Sequence, residues 1–312
     1  PLRMGLPLNK NNTTPSVCVI ITAWNQIEKT LACLKTVYAQ TYPSLTVLLV
    51  DNGSEPDFQV AMRAQFPQVN LLVNEHNLGF AGGYNSGIQA ALAHDYEYLF
   101  LLNNDTLLAE DCLAALVEGL EARPQVALAT AKIYYAAEPQ RIWTVGANFR
   151  PWLLELCDDH KGELDVGQWA EPRPIEMAPF CGVLTRRELF ERVGYLDDGF
   201  FLYYEDLDYC QRMKQAGEQL MMLPAAQLWH VVSASSGGAE SPQTRYWLAR
   251  SSGRYFRKHG QGWRLWLIVP FRLASALKLT GRLIGRGDWE TLRKYWQGLK
   301  EGWLSRTDHA SR

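Results

Sequence analysis

The sequence predicts an α/β protein built on a mostly parallel sheet flanked by helices. Three observations carry that expectation. Short runs rich in Val, Ile and Leu alternate with helical patterns between residues 17 and 121. Four of those runs end in polar clusters, and 47% of the 312 residues are hydrophobic against 21% charged. Regular alternation of strand and helix gives βαβ units, and this composition belongs to a chain with a sizeable core.

In order, residues 17–21 read as a buried strand, 27–39 as a helix, 46–51 as a strand and 57–66 as a helix. Residues 69–74 follow as a strand, 80–93 as a helix, 98–103 as a strand and 110–121 as a helix. Right-handed crossovers bring the carboxyl ends of parallel strands to one edge, so the polar clusters at 22–25, 51–54, 74–77 and 103–105 converge there. The stretch 130–200 is less regular and rich in Trp, Pro and Gly, suiting a loop-rich half with antiparallel strands. Residues 206–215 look helical, 219–223 like a short strand, and the chain from Ser241 onward helical and basic. The expected organisation is a loose leader at 1–15, a domain at 16–240 divided near 125, and a helical region at 241–312.

The overall charge of −2 hides an asymmetry: residues 241–312 hold 15 Lys+Arg against 4 Asp+Glu, and 1–240 hold 16 against 29. An acidic body of this kind gives no reason to expect a nucleic-acid partner. The six cysteines are scattered without CxxC or zinc-like spacing and are expected as reduced, buried thiols, which points to the cytoplasm. The longest uncharged run in the apolar stretch 263–279 is 265–271, far short of the ~20 residues that span a bilayer.

Residues 98–105, Tyr-Leu-Phe-Leu-Leu-Asn-Asn-Asp, end an apolar run on two amides and a carboxylate. Ligands of open α/β sheets sit at strand carboxyl ends, and a carboxylate there suits Mg²⁺ or Mn²⁺, although the same residues would serve a plain turn. Asp51, before Asn52-Gly53, can accept from a nucleobase N–H or a ribose hydroxyl. The run from Asn77 to Gly87 carries four glycines yet keeps a helical pattern, as if the helix opening admitted a substrate diphosphate. Glu205-Asp206 and Asp208 follow an aromatic run; the acids suit a helix start, and one of them could act as a general base. His230 precedes a Gly/Ser-rich stretch at 233–238.

Taken together, the blocks VCVIITAWN, VLLVDNGS, NEHNLGFAGGYNSGI, YLFLLNNDT and FCGVLTRRELFERVGYLDDGFFLYYEDLDYCQRMKQAG, spread over about 16–235, resemble the family 2 inverting glycosyltransferases. Their fold is GT-A, with a Rossmann-like sheet, and the likeness is greatest to the bacterial rhamnosyltransferase-like branch; it implies a nucleotide-binding half at about 16–125 and an acceptor half at about 126–240. The resemblance implies that Thr22, Trp24 and Asn25 line the nucleotide's way in, that Asp51 holds the base or ribose, and that Asn77, Gly79 and Asn85 lie along the donor. Asn103-Asn104-Asp105 matches the family's DxD motif with Asn in first place, so Asp105 becomes the main ligand of Mn²⁺ or Mg²⁺, joined by His230. Asp206 matches the catalytic base. Trp24 stands where Tyr or Phe is more usual. The donor implied is a dTDP- or UDP-sugar, with rhamnose the expected sugar, and the acceptor a glycan or lipid-linked hydroxyl in cell-surface polysaccharide synthesis. A sugar nucleotidyltransferase or a non-catalytic sugar-nucleotide-binding protein are the alternatives. The former would want an Arg/Lys-bearing loop after the first strand, where only Lys29 stands.

In the C-terminal region, Arg272, Ser275, Lys278, Arg282 and Arg286 fall at helical spacing on one face, with Leu273, Leu277, Thr280 and Ile284 on another. A basic amphipathic helix of this kind is expected at an anionic membrane surface, at the inner face of the cell membrane. Packing on the catalytic domain, or on a second copy in a homo-oligomer, is the other use of such a helix.

Overall fold

The computed structural model describes residues 14–150, 152–157, 160–231 and 240–304. The expected leader, apart from residues 14 and 15, and the Gly/Ser-rich stretch at 233–238 lie outside the described residues. The first half contains β1 (Val17–Ala23), α1 (Ile27–Tyr38), β2 (Leu45–Asp51), α2 (Pro56–Gln65), β3 (Asn70–Val73), α3 (Gly79–Leu92), β4 (Tyr98–Asn103), β5 (Thr106–Leu108) and α4 (Cys112–Glu121). Then come β6 (Val126–Tyr135), β7 (Glu138–Thr144), β8 (Asn148–Phe149), β9 (Leu156–Cys157), β10 (Arg173–Ile175), β11 (Gly182–Arg186) and α5 (Leu189–Val193). The chain continues through α6 (Glu205–Gln215), β12 (Gln219–His230), α7 (Pro242–His259), α8 (Leu265–Gly285) and α9 (Trp289–Leu304).

One mixed sheet runs β10-β12-β6-β11-β4-β1-β2-β3, with β5 added to β12 and β7 to β6. Strands β4, β1, β2 and β3 are parallel, and β11 is antiparallel to both β4 and β6. Because side chains alternate along a strand, β1 divides its residues between two cores. Val17, Val19 and Ile21 pack with α1, α2 and α4; Cys18 and Ile20 pack with α3, α6 and α7. With both faces covered, the strands are continuously apolar rather than alternating, and each fully buried Val or Ile contributes about 1.5–3 kcal/mol. Burial pushes the Cys18, Cys33 and Cys112 thiols up to about 12, and all six cysteines are unpaired.

Two elements differ from the sequence reading. The short strand expected at 219–223 is the start of a twelve-residue β12, whose ladder with β6 shifts register between Leu223 and Gln227. Pro224 lacks an N–H, which breaks the pairing locally while the strand resumes beyond the bulge. The glycines of α3 also serve another purpose than substrate access. A Cβ on Gly87 would lie 2.5 Å from Ile20 Cγ2 and 2.9 Å from Val50 Cγ2, and one on Gly83 would lie 2.6 Å from Thr22 Cγ2. Their lack of a side chain sets α3 directly on β1 and β2.

Helix α7 starts at Ser241, whose Oγ accepts from the Thr244 N–H at 3.1 Å, with Pro242 in its first turn. Its Tyr255 and Phe256 lie in the same core as β1 and α3, so packing continues across residue 241. On the basic face expected on α8, Arg272 is turned to protein, while Lys278, Arg282 and Arg286 stay exposed. Arg272 stacks over the Phe256 ring at 4.6 Å and pairs with Glu155 at 2.9 Å; Arg282 and Arg286 share Glu240 at 3.3 and 2.9 Å. Helical spacing alone could not anticipate carboxylates supplied by distant loops.

Gly87→Ala should lower the stability of the protein by about 1–3 kcal/mol through overpacking, read as a shift in denaturant midpoint. An unchanged midpoint would mean that α3 can lift from the sheet without cost.

Candidate active site

The parallel register sets the polar strand ends side by side: Thr22 lies opposite Asn103 of β4, and Ala23 opposite Asp51 of β2. Asp51 is fully buried; its Oδ1 accepts from the Ser54 N–H at 2.9 Å, while Oδ2 has no partner among the described residues. Thr22 Oγ1 is likewise buried without one. Unpartnered buried oxygens are costly unless a ligand meets them, so this edge suits the N–H and O–H groups of a nucleoside. Beside it Trp24 is half exposed, 47%. Asn25 adopts φ 58°, donating its N–H to Ser54 Oγ and accepting the Glu55 N–H on Oδ1.

Asn52, which sequence reasoning passed over in favour of Asp51, is the hub of this side. Its amide donates to Asn77 Oδ1 at 3.1 Å and to the Gly79 carbonyl at 2.9 Å, and its Oδ1 accepts from Asn74 and the Leu78 N–H. The first N–H groups of α3 are therefore met by protein: Gly79 donates to Asn77 Oδ1 and Phe80 to the Phe201 carbonyl. Gly79 has φ +75°, and a Cβ there would lie 2.4 Å from Phe201 O, so only glycine fits. Asn85 grips both the N–H and the carbonyl of Leu196. Asn77, Gly79 and Asn85 are thus braces with polar atoms directed at protein, Asn77 and Gly79 within the turn before α3 and Asn85 across to Leu196.

Within the triplet after β4, Asn103 Oδ1 accepts from the buried Tyr84 hydroxyl at 3.0 Å, and Asn104 donates to Thr30 Oγ1 at 2.9 Å. Both amides are braces, which leaves Asp105 as the carboxylate of the group. Strand β5 pairs antiparallel with the end of β12, with Thr106 opposite His230. Asp105 Oδ1 accordingly lies 3.2 Å from His230 Nε2, although 125 residues separate them. The imidazole packs edge-on against Trp143, ring centroids 4.7 Å apart, and its Nδ1 is buried without a partner among the described residues. A carboxylate oxygen suits either Mn²⁺ or Mg²⁺, and the imidazole nitrogen beside it favours Mn²⁺ of the two. Among the described residues no cluster of three His, Cys, Asp or Glu suits a metal, so a cation here would complete its sphere with substrate oxygens.

On the facing side Tyr203 and Tyr204 both adopt left-handed backbone, φ 66° and 69°, immediately before α6. Such residues cost about 1–3 kcal/mol each, and they aim the first turn of α6 into the site. Burial, followed by the Asp206 carboxylate, holds Glu205 well above the usual carboxylate range; its Oε2 has no partner among the described residues. Asp206 keeps part of its surface open, and burial raises its carboxyl too, against a hydrogen bond from the Leu207 N–H. Asp208 behaves oppositely. Although buried, it is held far below the usual range by a hydrogen bond from His259 at 2.8 Å, then by Arg212 at 3.0 Å and Lys258 at 2.7 Å. Lys258 and Arg254 also pair with Asp197. Sequence reasoning missed this network because, apart from Arg212 on α6 itself, its partners lie on α7, about 50 residues away from Asp208.

A mixed sheet whose parallel strands bring their polar ends to one edge is the GT-A fold of glycosyltransferases. The fold matches the mannosyltransferase PcManGT from Pyrobaculum calidifontis, solved with GDP-Man and Mn²⁺, at TM-score 0.58 and 18% identity over 94% of this chain and 88% of that one. It also matches GalNAc-T7, solved with UDP, GalNAc and Mn²⁺, at TM-score 0.57 and 16% identity over 80% of this chain and 52% of that one. The family model of glycosyl transferase family 2 covers residues 18–194, and the chain belongs to that family. A similar protein over nearly its whole length is the N-acetylglucosaminyl-diphospho-decaprenol L-rhamnosyltransferase of Mycobacterium tuberculosis, 24% identical over 92% of this chain and 98% of that one. The dTDP-rhamnosyl transferase RfbF of Shigella flexneri is 22% identical over 78% of this chain and 81% of that one.

Glu205→Gln tests the acid pair through stability. A carboxyl raised in the folded state binds its proton more tightly there than in the unfolded chain. It therefore costs stability as pH rises from the ordinary Glu range toward its folded pKa, by at most about 1.4 kcal/mol per pH unit. Gln escapes that cost, so the melting temperature of the variant should rise relative to wild type as pH goes from 4 to about 7. A pH-independent difference would mean that Glu205 is ionised in the folded protein.

Proposed function

We propose that this enzyme transfers a sugar, with inversion, from a nucleotide donor to a hydroxyl of a glycan or lipid-linked acceptor in cell-surface polysaccharide synthesis. The donor we infer is dTDP-rhamnose, a UDP-sugar being the other nucleotide the site would accept. The rhamnosyltransferase names of the relatives support that choice. The observation that carries the reading is Asp206: a carboxyl raised by burial yet open to the site, at the start of a helix aimed by two strained tyrosines.

In this reading Thr22 and Asp51 receive the nucleoside, with Trp24 and Asn25 at the mouth, while Asn77, Gly79, Asn85, Asn103 and Asn104 hold the walls. Asp105 and His230 would hold a divalent cation, Mn²⁺ or Mg²⁺, whose positive charge offsets negative charge on the donor diphosphate. Asp206 takes the proton of the acceptor hydroxyl, whose oxygen attacks the anomeric carbon from the face opposite the nucleotide. The bond from that carbon to the diphosphate oxygen breaks, and the nucleoside diphosphate leaves with the electron pair. One displacement inverts the centre. Glu205, kept neutral, leaves the negative charge of the pair on Asp206. No helix among the described residues is long and apolar enough to cross a membrane, and we place the protein in the cytoplasm, at the inner face of the membrane.

Asp206→Asn keeps the shape and removes the base, so turnover should fall by about 10²–10⁴ while donor binding by calorimetry is retained. Should Glu205→Gln be the inactive variant and Asp206→Asn the active one, the base is Glu205. Asp105→Ala should abolish the stimulation of transfer by Mn²⁺; equal turnover of variant and wild type in Mn²⁺ and in EDTA would remove the cation from this reading. His230→Ala should lose activity in part.

A further inference from the structure

Helix α8 carries an apolar stripe along its outer side. Trp266, Pro270, Leu273, Leu277 and Ile284 fall on one helical face and are all exposed, Trp266 by 83% and Leu277 by 57%. The opposite face is the packed one, through Ile268, Ala276 and Leu283. From Trp266 to Ile284 the stripe runs about 27 Å. Exposed tryptophans mark both ends: Trp263, whose ring meets Trp152 at 5.4 Å, and Trp289 at the start of α9. Trp296, at the seam between α8 and α9, donates its indole N–H to Thr280.

Charge decides what covers this surface. Helix α8 contains no acidic residue, and residues 241–304 hold 13 Lys+Arg against three Asp+Glu. Lys278 on α8 and Arg293 and Lys300 on α9 are exposed. A two-fold contact with a second copy would set this positive surface against itself, whereas an anionic lipid interface complements it. Tryptophan and leucine flanked by lysine and arginine are the side chains of helices lying in the headgroup region.

We propose that the outer stripe of α8 lies in the plane of an anionic lipid interface, held mainly by its apolar side chains. Arg272 is matched by Glu155, whereas Arg245, Arg282 and Arg286 share the single carboxylate of Glu240 and keep a net positive charge there. The lipid contact itself needs no assumption about catalysis. Its relation to the acceptor does rest on the proposed function: the Trp152–Trp263 contact sets the end of the stripe beside the loop between β8 and β9, in the half assigned to the acceptor.

The full chain is tested by co-sedimentation with vesicles of phosphatidylcholine alone or mixed with phosphatidylglycerol. Wild type should bind the mixed vesicles and remain largely bound in about 1 M salt, where the screening length is about 3 Å. The triple variant Trp266→Gln, Leu273→Gln, Leu277→Gln should bind at least about tenfold more weakly. As a second measurement independent of the variant, vesicles should shield wild-type tryptophan fluorescence from iodide. Equal binding by variant and wild type, complete release by salt, or no binding to either vesicle would overturn the proposal. So would a wild-type dimer in ultracentrifugation that the variant turns into monomer. Transfer to a water-soluble acceptor should be the same in both proteins; its absence in wild type would overturn the proposed function and leave the vesicle result standing.

Discussion

Asp105 and His230 meet because three residues, Thr106–Leu108, turn back from the end of β4 and pair with the last residues of β12. The Val231 N–H donates to the Asp105 carbonyl at 2.8 Å, so backbone as well as side chain closes the junction. Everything else in the sheet serves this meeting. β11 and β6 must lie between β4 and β12 at the right spacing, and β12 must continue through Pro224 to reach as far as His230. Tyr84 and Thr30 then pin the two asparagines that precede Asp105, each from a different helix and a different face.

The acidic turn of α6 shows how partners, rather than burial alone, set charge. Glu205 and Asp208 are three residues apart and both buried, yet their carboxyls shift in opposite directions. Asp208 faces a histidine, an arginine and a lysine; Glu205 faces only its acidic neighbour. Burial without a cation neutralises a carboxyl, and burial beside an arginine, a lysine and a hydrogen-bonding histidine fixes it as an anion. Helix α7 supplies two of those groups, which makes its basic residues part of the interior of the molecule and joins the C-terminal region to the helix that carries Asp206.

Much of this was legible in the residues. The apolar runs ending at 22, 51 and 103 are strands whose ends align, because side-chain alternation with both faces buried leaves a recognisable continuous pattern. Asp105 stands out by type and position, while Asp206 and His230 are singled out by the family resemblance. What was illegible depends on contacts distant in sequence. Nothing local marks Thr106–Leu108 as a strand, since its partner lies beyond residue 227. The glycines of α3 look like an opening for a ligand until Ile20 and Val50 are set against them. Arg272 looks solvent-facing until Glu155 and the Phe256 ring are set against it. The exposed Trp266–Ile284 stripe, by contrast, follows from helical periodicity once the packed face is known.

The 125 residues between Asp105 and His230 also bear on how the site comes into being. Closing so long a stretch of chain carries a loop entropy that no local contact offsets, and folds rich in such closures form slowly. During synthesis the first four parallel strands can pair as soon as they emerge, since each neighbours strands already made. The edge formed by β5 stays unpaired until β12 has left the ribosome, and Lys258 and His259 arrive later still to neutralise Asp208. The Asp105–His230 junction therefore closes late, and a ribosome stalled before residue 230 would display a half-sheet with an open edge, a target for chaperones.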